Sequence, residues 1–185
     1  MPTVFTIGHS TRGFDEVVGM LRVNGVTLLA DIRHFPSSRR LPQWNRDAIE
    51  AALPPDIGYR WLERLGGRRH TPAGVQGPNG YWRVAAFRAY ADYMATPPFA
   101  EGLDELLALA QTSRPAIMCS EAVPWRCHRR LVTDALLVRG VEVFDILSET
   151  SVRPAVLTPA ARMVDGHLVY PPEGAAAAAL PSRDG

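Results

Sequence analysis

The sequence contains no lysine: all 20 residues counted as Lys+Arg are arginines. Without that amine, lysine Schiff-base catalysis and a Walker-type phosphate loop are both excluded. Cysteine is scarce, with two in 185 residues, so the chain has no disulfide framework. No run reaches the ~18 apolar residues that a membrane span requires. The opening Met1–His9 has neither a basic start nor a long apolar stretch. A cytoplasmic, reduced protein with no membrane partner is the expectation. Charge of one sign is also missing in excess, because a formal net charge of +1 does not mark a uniformly polyanion-seeking molecule. What is present, 46% hydrophobic and 21% charged residues, suits a globular domain with a real core.

Hydrophobic periodicity alternates between strand and helix. Val4–Ile7 reads as a short buried strand and Gly8-His9-Ser10-Thr11 as the turn after it. From Gly13 to Asn24, Phe14, Val17, Val18 and Leu21 recur at helical spacing, with Asp15 and Glu16 at the positive end and Asn24-Gly25 as the stop. Val26–Ile32 is nearly all apolar, as in a parallel strand covered on both faces. Strand, helix and strand in so short a span make a right-handed crossover. Residues 33–44 form a Pro- and Ser-rich loop, and Asn45 caps a short helix to Leu53. Ile57–Trp61 is a third strand, continued by Leu62–Leu65. Residues 66–80, rich in Gly, Pro and Arg, read as a mobile flap.

Helices are expected over Val84–Ala95 and Phe99–Gln111, then a strand at Pro115–Cys119. Pro124 opens a helix running to Arg139 and stopped by Gly140, and Val141–Leu147 is a further strand. Asp165-Gly166 is a tight hairpin signal within Ala161–Tyr170. The expected fold class is α/β: one domain over residues 1–172, its mainly parallel sheet flanked by helices, with a C-terminal β-hairpin. Residues 173–185, which include the alanines from Ala175 to Ala179, read as a flexible low-complexity tail.

Polar residues that carry chemistry fall at strand ends, where open parallel sheets bind ligands. The first strand ends in Gly8-His9-Ser10, the second in Asp31-Ile32-Arg33-His34, and the later one in Cys119-Ser120-Glu121. Asp31 and Arg33 face the same side. They form either a structural ion pair or an anion clamp in which Asp31 orients Arg33 or acts as base. Between residues 33 and 69, eight arginines face four acidic residues, with Trp44, Tyr59, Trp61, Tyr81 and Trp82 in or near the stretch. That combination suits phosphate contact and base stacking, or else a solvated surface over core aromatics.

Cys119 and Arg126 are separated by six residues, one more than in the tyrosine-phosphatase loop, and Glu121 would sit wrongly inside a phosphate cradle. Cys127, beside Arg126 and His128 at a helix start, fits a nucleophile or a metal ligand, and equally a packed core thiol. A metal reading uses Cys119, Cys127 and His128, with His9 as a further donor, but lacks the paired spacing of a zinc knuckle. A Cys119–Cys127 redox pair lacks the Cys-x-x-Cys spacing. The residues require no cofactor; a divalent metal is the alternative left open.

Five segments in order carry a family resemblance: Thr6-Ile-Gly-His-Ser10, Asp31-Ile-Arg33 with Phe35-Pro-Ser-Ser-Arg39, Tyr59 with Leu65-Gly-Gly67, Cys119-x-Glu121, and Cys127-His-Arg129. Together, over residues 3–170, they resemble the DUF488 family, whose function is unknown. The resemblance implies a fold and a shared pocket formed by His9, Asp31, Arg33, Ser38, Arg39, Glu121, Cys127, His128 and Arg129, with Tyr59 as a peripheral member.

The functional expectation is a hydrolase or transferase acting on a small anionic, phosphate-bearing ligand, a nucleotide or a nucleic-acid component. Its catalytic candidates are His9, Asp31, Glu121, Cys127 and His128. Glu121 or Asp31 would be general base, and His9 or His128 the acid or orienter. Its anion- and substrate-binding candidates are Ser10, Arg33, Ser38, Arg39, Tyr59, Arg126 and Arg129. The alternatives are a nucleic-acid binding module without catalysis and a metal- or thiol-dependent enzyme built on Cys119 and Cys127.

Overall fold

The computed structural model describes residues 1–71 and 77–174. The chain runs β1 (Thr3–Gly8), α1 (Phe14–Val23), β2 (Leu28–Asp31), α2 (Arg46–Ala52), β3 (Gly58–Trp61), α3 (Ala85–Tyr93), α4 (Pro97–Leu109), β4 (Pro115–Cys119), α5 (Arg129–Leu137), β5 (Glu142–Ser148), β6 (Ser151–Pro154), β7 (Arg162–Val164) and β8 (His167–Val169). Six strands form one sheet in the order β3-β2-β4-β1-β5-β6. All pair in parallel except β6, which is antiparallel to β5 at the edge. The hairpin β7-β8 turns through Asp165 and Gly166, both at positive φ, the geometry a two-residue turn demands.

Strand residues alternate between two cores because successive side chains point to opposite faces. Val4, Ala30 and Ile117 join α3, α4 and α5 on one face. Phe5, Ile7, Leu29, Ala116 and Met118 join α1 and α2 on the other. The crossovers after β1 and β4 therefore leave on opposite faces and in opposite directions along the sheet. β1 and β4 are neighbours, so the carboxyl ends of these two strands flank a topological switch point, the place where open α/β sheets open a crevice.

Two local expectations need correction, and one strand comes without a sequence signal. Pro124 does not open the long helix: Pro124–Arg126 is a single 3-10 turn, Cys127 is extended, and α5 starts at Arg129. The break falls at Cys127, which is buried and takes an extended backbone between the turn and the helix. Leu62–Leu65 does not extend β3 but forms a 3-10 turn at Glu63–Leu65, which buries Leu65. The edge strand β6 carries no buried side chain, and hence no apolar run to announce it. The alanine run and residues 175–185, expected as a flexible tail, lie outside the described residues, as do residues 72–76 of the expected flap.

Gly8 shows how tightly the switch point is closed. A Cβ on Gly8 would overlap the carbonyl oxygen of Glu121. Gly8→Ala is expected to cost about 1–3 kcal/mol, the usual penalty for overpacking, and to displace the Glu121 backbone. Urea unfolding checks this, and an unchanged midpoint would mean the loop after β4 is free to give way.

Candidate active site

Three strand ends are stitched together beyond the regular sheet. The His9 amide donates to the Cys119 carbonyl (3.0 Å), that of Ser10 to the Ser120 carbonyl (3.0 Å), and that of Ile32 to the Met118 carbonyl (3.0 Å). The parallel ladder thus sets the residues after β1, β2 and β4 side by side. They open onto a cleft of about 590 Å³, lined on this side by His9, Ser10, Arg33, Cys119, Glu121 and Cys127. The loop after β2 adds Phe35, Ser37 and Ser38, the segment after the Glu63–Leu65 turn adds Gly67 and Arg68, and α3 adds Phe87.

Asp31 is fully buried and saturated. Its carboxylate accepts from the Arg33 amide (3.0 Å), from Arg33 Nε (2.9 Å) and Nη2, and from the Tyr59 hydroxyl (2.8 Å). Burial and the Asp31 charge push the Tyr59 phenol well above its ordinary value, so it stays a donor. Arg33 is fixed by this grip and points its Nη1 at His9 Nε2 (3.4 Å). His9 in turn stacks on Trp44, with centroids 4.7 Å apart. Its Nδ1 is 2.9 Å from the Ser10 carbonyl, which can only accept, so Nδ1 carries the proton and Nε2 the lone pair. Ser10 has φ 48°, a left-handed conformation rare for a residue with a side chain, and it is what presents that carbonyl.

His128 is locked in the same way with the nitrogens exchanged. Nε2–H donates to the Ile32 carbonyl (2.9 Å), leaving the Nδ1 lone pair toward Cys127 Sγ (3.8 Å). A Cβ on Gly67 would overlap this ring, so only glycine lets the segment cross it. Burial lowers both histidines to about 4. Each is a neutral imidazole at pH 7 and holds no proton of the kind a general acid must give up.

The thiols form the floor. Arg129 Nη1 donates to Cys119 Sγ (3.2 Å) and the Arg129 amide donates to Cys127 Sγ (3.3 Å). Burial pushes both thiols up. At Cys119 the adjoining Cys127 thiol, the Arg129 guanidinium and the Glu121 backbone outweigh it and hold the group below its ordinary value. At Cys127 burial is reinforced by Cys119, and the thiol rises well above that value.

The family model described as "Domain of unknown function DUF488" matches residues 13–136, more than half of the chain. The chain belongs to the DUF488 family. Comparison with curated proteins and with solved structures finds no match. The match runs from α1 into α5 and includes the Asp31–Arg33 tip and both thiols. His9 and Ser10 lie just before it, and the hairpin lies after it.

In this DUF488 domain His9, Ser10, Arg33, Ser38, Glu121, Arg126, Cys127 and His128 line one cleft. Four other candidates do not line it. Asp31 and Tyr59 sit behind Arg33 as its anchors. Arg129 is 1% exposed and lies beneath the thiols, and Arg39 faces solvent outside the lining. Ser38 also has a local task, because its amide donates to Asn45 Oδ1 (2.6 Å) and its Oγ accepts from the Leu41 amide (3.0 Å). Asn45 does stand at the N-cap of α2, but its side chain holds this loop rather than the helix end.

Sequence reasoning leaves Ser37, Arg68 and Phe87 out of the site. Ser37 lies inside the Phe35–Arg39 segment and Arg68 inside the arginine-rich stretch. Phe87 has the periodicity of a core residue, and no signal separates its role at the cleft wall from packing. For the metal alternative, no three His, Cys, Asp or Glu side chains among the described residues are placed to share an ion. His128 spends Nε2 on Ile32 and directs Nδ1 at Cys127. Among the described residues no helix is long and apolar enough to cross a membrane.

Proposed function

We propose that the cleft binds a phosphate-bearing ligand with a planar apolar part, a nucleotide or nucleic-acid component, and catalyses hydrolysis or group transfer on it. One observation carries the reading. Three arginines, Arg33, Arg68 and Arg126, and four serines, Ser10, Ser37, Ser38 and Ser120, share a lining with the aromatic residues Phe35 and Phe87. Guanidinium and hydroxyl donors suit phosphate oxygens, and the aromatic walls suit a base. Asp31 supports this from behind, because it holds the Arg33 guanidinium by Nε and Nη2 before any ligand arrives, leaves Nη1 outside the ion pair, and so lowers the ordering cost of binding.

Glu121 is the one carboxylate among the described lining residues, and it is exposed at the rim. It takes the role of general base toward water or an acceptor hydroxyl. His9, neutral and fixed, orients Arg33. Calorimetric titration at low salt with inorganic phosphate, nucleoside monophosphates and a single-stranded oligonucleotide tests the binding. Arg126→Ala is expected to weaken nucleotide binding about tenfold, one charge-assisted contact. Glu121→Gln is expected to lower turnover about 10²–10⁴-fold with little change in affinity. Absence of binding by every probe at low salt would remove the reading.

The second reading, a nucleic-acid binding module without catalysis, is favoured by Phe35. It is 61% exposed at the cleft mouth, and the Arg68 guanidinium lies 5.7 Å from its ring centroid. Oligonucleotide binding with a steep salt dependence, unaltered in Glu121→Gln and with no turnover, would select it.

A further inference from the structure

Two arginines among the described residues are buried, and they are compensated in different ways. Arg33 has the Asp31 carboxylate. Arg129, at 1% exposure, has no carboxylate within salt-bridge distance among the described residues. Its Nη2 reaches the Ala122 carbonyl at 3.5 Å, its Nε has no partner, and its closest contact is Cys119 Sγ at 3.2 Å. An isolated guanidinium out of water is costly, and arginine does not shed its proton. The group able to supply the missing negative charge at that distance is the Cys119 sulfur. The Glu121 carbonyl, 3.7 Å from the same sulfur, is the weaker partner open to a protonated thiol.

The 3-10 turn at Pro124–Arg126 folds the chain back so that both sulfurs accept from one residue, Cys119 Sγ from Arg129 Nη1 (3.2 Å) and Cys127 Sγ from the Arg129 amide (3.3 Å). Both cysteines are among the residues that line the cleft. The pair is therefore asymmetric: one sulfur faces a buried cation, and the other has the His128 Nδ1 lone pair 3.8 Å away as acceptor for its S–H and receives the Arg129 amide. Such asymmetry, an attacking thiolate beside a protonated second thiol, is the arrangement that thiol–disulfide chemistry uses.

We propose that Cys119 and Cys127 are a redox-active dithiol on the floor of the cleft, in which Cys119, held as a thiolate by Arg129, attacks a hydroperoxide and Cys127 resolves the product to a disulfide. In the first step the Cys119 sulfur bonds to the distal peroxide oxygen and the O–O bond breaks. The alkoxide or hydroxide released takes a proton from water. Cys119 is then a sulfenic acid. In the second step the Cys127 sulfur attacks Cys119, a water molecule leaves with the Cys127 proton, and the S–S bond forms. Two thiols lose two electrons and the hydroperoxide gains them; an external dithiol restores the reduced pair. The inference is independent of the phosphate reading, since it needs no ligand in the cleft.

The full chain treated with hydrogen peroxide tests it. The expected result is loss of both free thiols with one intramolecular disulfide, restored by dithiothreitol. In Cys127→Ser the reaction should stop at Cys119 sulfenic acid, captured there by dimedone and located by peptide mass mapping. In Cys119→Ser, Cys127 should react no faster than free cysteine. Arg129→Met should slow the reaction at Cys119 about tenfold or more, with Arg129→Lys retaining most of the rate. Should Arg129→Met fail to fold, the pH profile of Cys119 alkylation by iodoacetamide in Cys127→Ser decides instead. A midpoint below the ordinary thiol value supports the thiolate, and one at or above it overturns it. Dimedone label on Cys127 in place of Cys119, a peroxide rate equal to that of free cysteine, or persistence of both thiols would each overturn the proposal.

Discussion

Asp31→Ala is expected to destabilise the domain by about 3–5 kcal/mol, because it leaves the Arg33 guanidinium buried with no counter-charge. Asp31 is 0% exposed and engages Arg33 through its amide and two guanidinium nitrogens, and Tyr59 through its hydroxyl. The single substitution strips four donors of their acceptor. Replacing both charges together, as in Asp31→Leu with Arg33→Met, should recover much of the loss, since an apolar pair carries no desolvation penalty. Tyr59→Phe removes one hydrogen bond to a charged group and should cost about 1.5–3 kcal/mol. Chemical denaturation of the four proteins measures these differences. A cost below about 1 kcal/mol for Asp31→Ala would show that water reaches Arg33, and the preorganised anion clamp would fall with it. On the proposed phosphate reading, the same variant should also weaken phosphate binding, because Arg33 is no longer held toward His9.

Acidification from pH 7 to pH 5 is expected to cost about 2–4 kcal/mol of folding stability. His9 and His128 ionise near 6.5 when unfolded and at about 4 in the folded domain, because burial disfavours the imidazolium. Between those two values the unfolded chain binds protons that the native state does not. This contribution is therefore complete above the unfolded value and drains away as pH falls toward the folded one. Each histidine supplies a slope of about 1.4 kcal/mol per pH unit across the window. Asp134 works in the opposite sense, since burial raises its carboxyl and acidification relieves that penalty. Urea unfolding at pH 7, 6 and 5 measures the sum, and His9→Gln should remove about half of the slope. A flat profile would mean that both rings are wetter than their surroundings imply.

Asp31, Arg33, His9 and His128 stand out in the amino-acid order by residue type and position, and so does the Asp31–Arg33 pairing, but the burial that keeps both imidazoles neutral does not. The alternation of strand and helix is directly readable, because hydrophobic periodicity is a local property of the chain. So are the strand-end positions of His9, Arg33 and Glu121. The edge strand β6 is not, since it buries nothing. Nor is the break at Cys127, where a proline that favours a helix start instead closes one 3-10 turn.

The amino-acid order alone determined an α/β fold with polar and ionisable residues at the ends of its strands, because backbone preference and side-chain periodicity act over a few residues. Only tertiary packing separated the arginines by task. Arg33 and Arg126 reach the cleft, Arg39 faces solvent, and Arg129 is enclosed beneath Cys119. Burial and charge pairing depend on which distant segments meet. Here that meeting is set by β4 inserting between β1 and β2, an event that no local window of sequence contains.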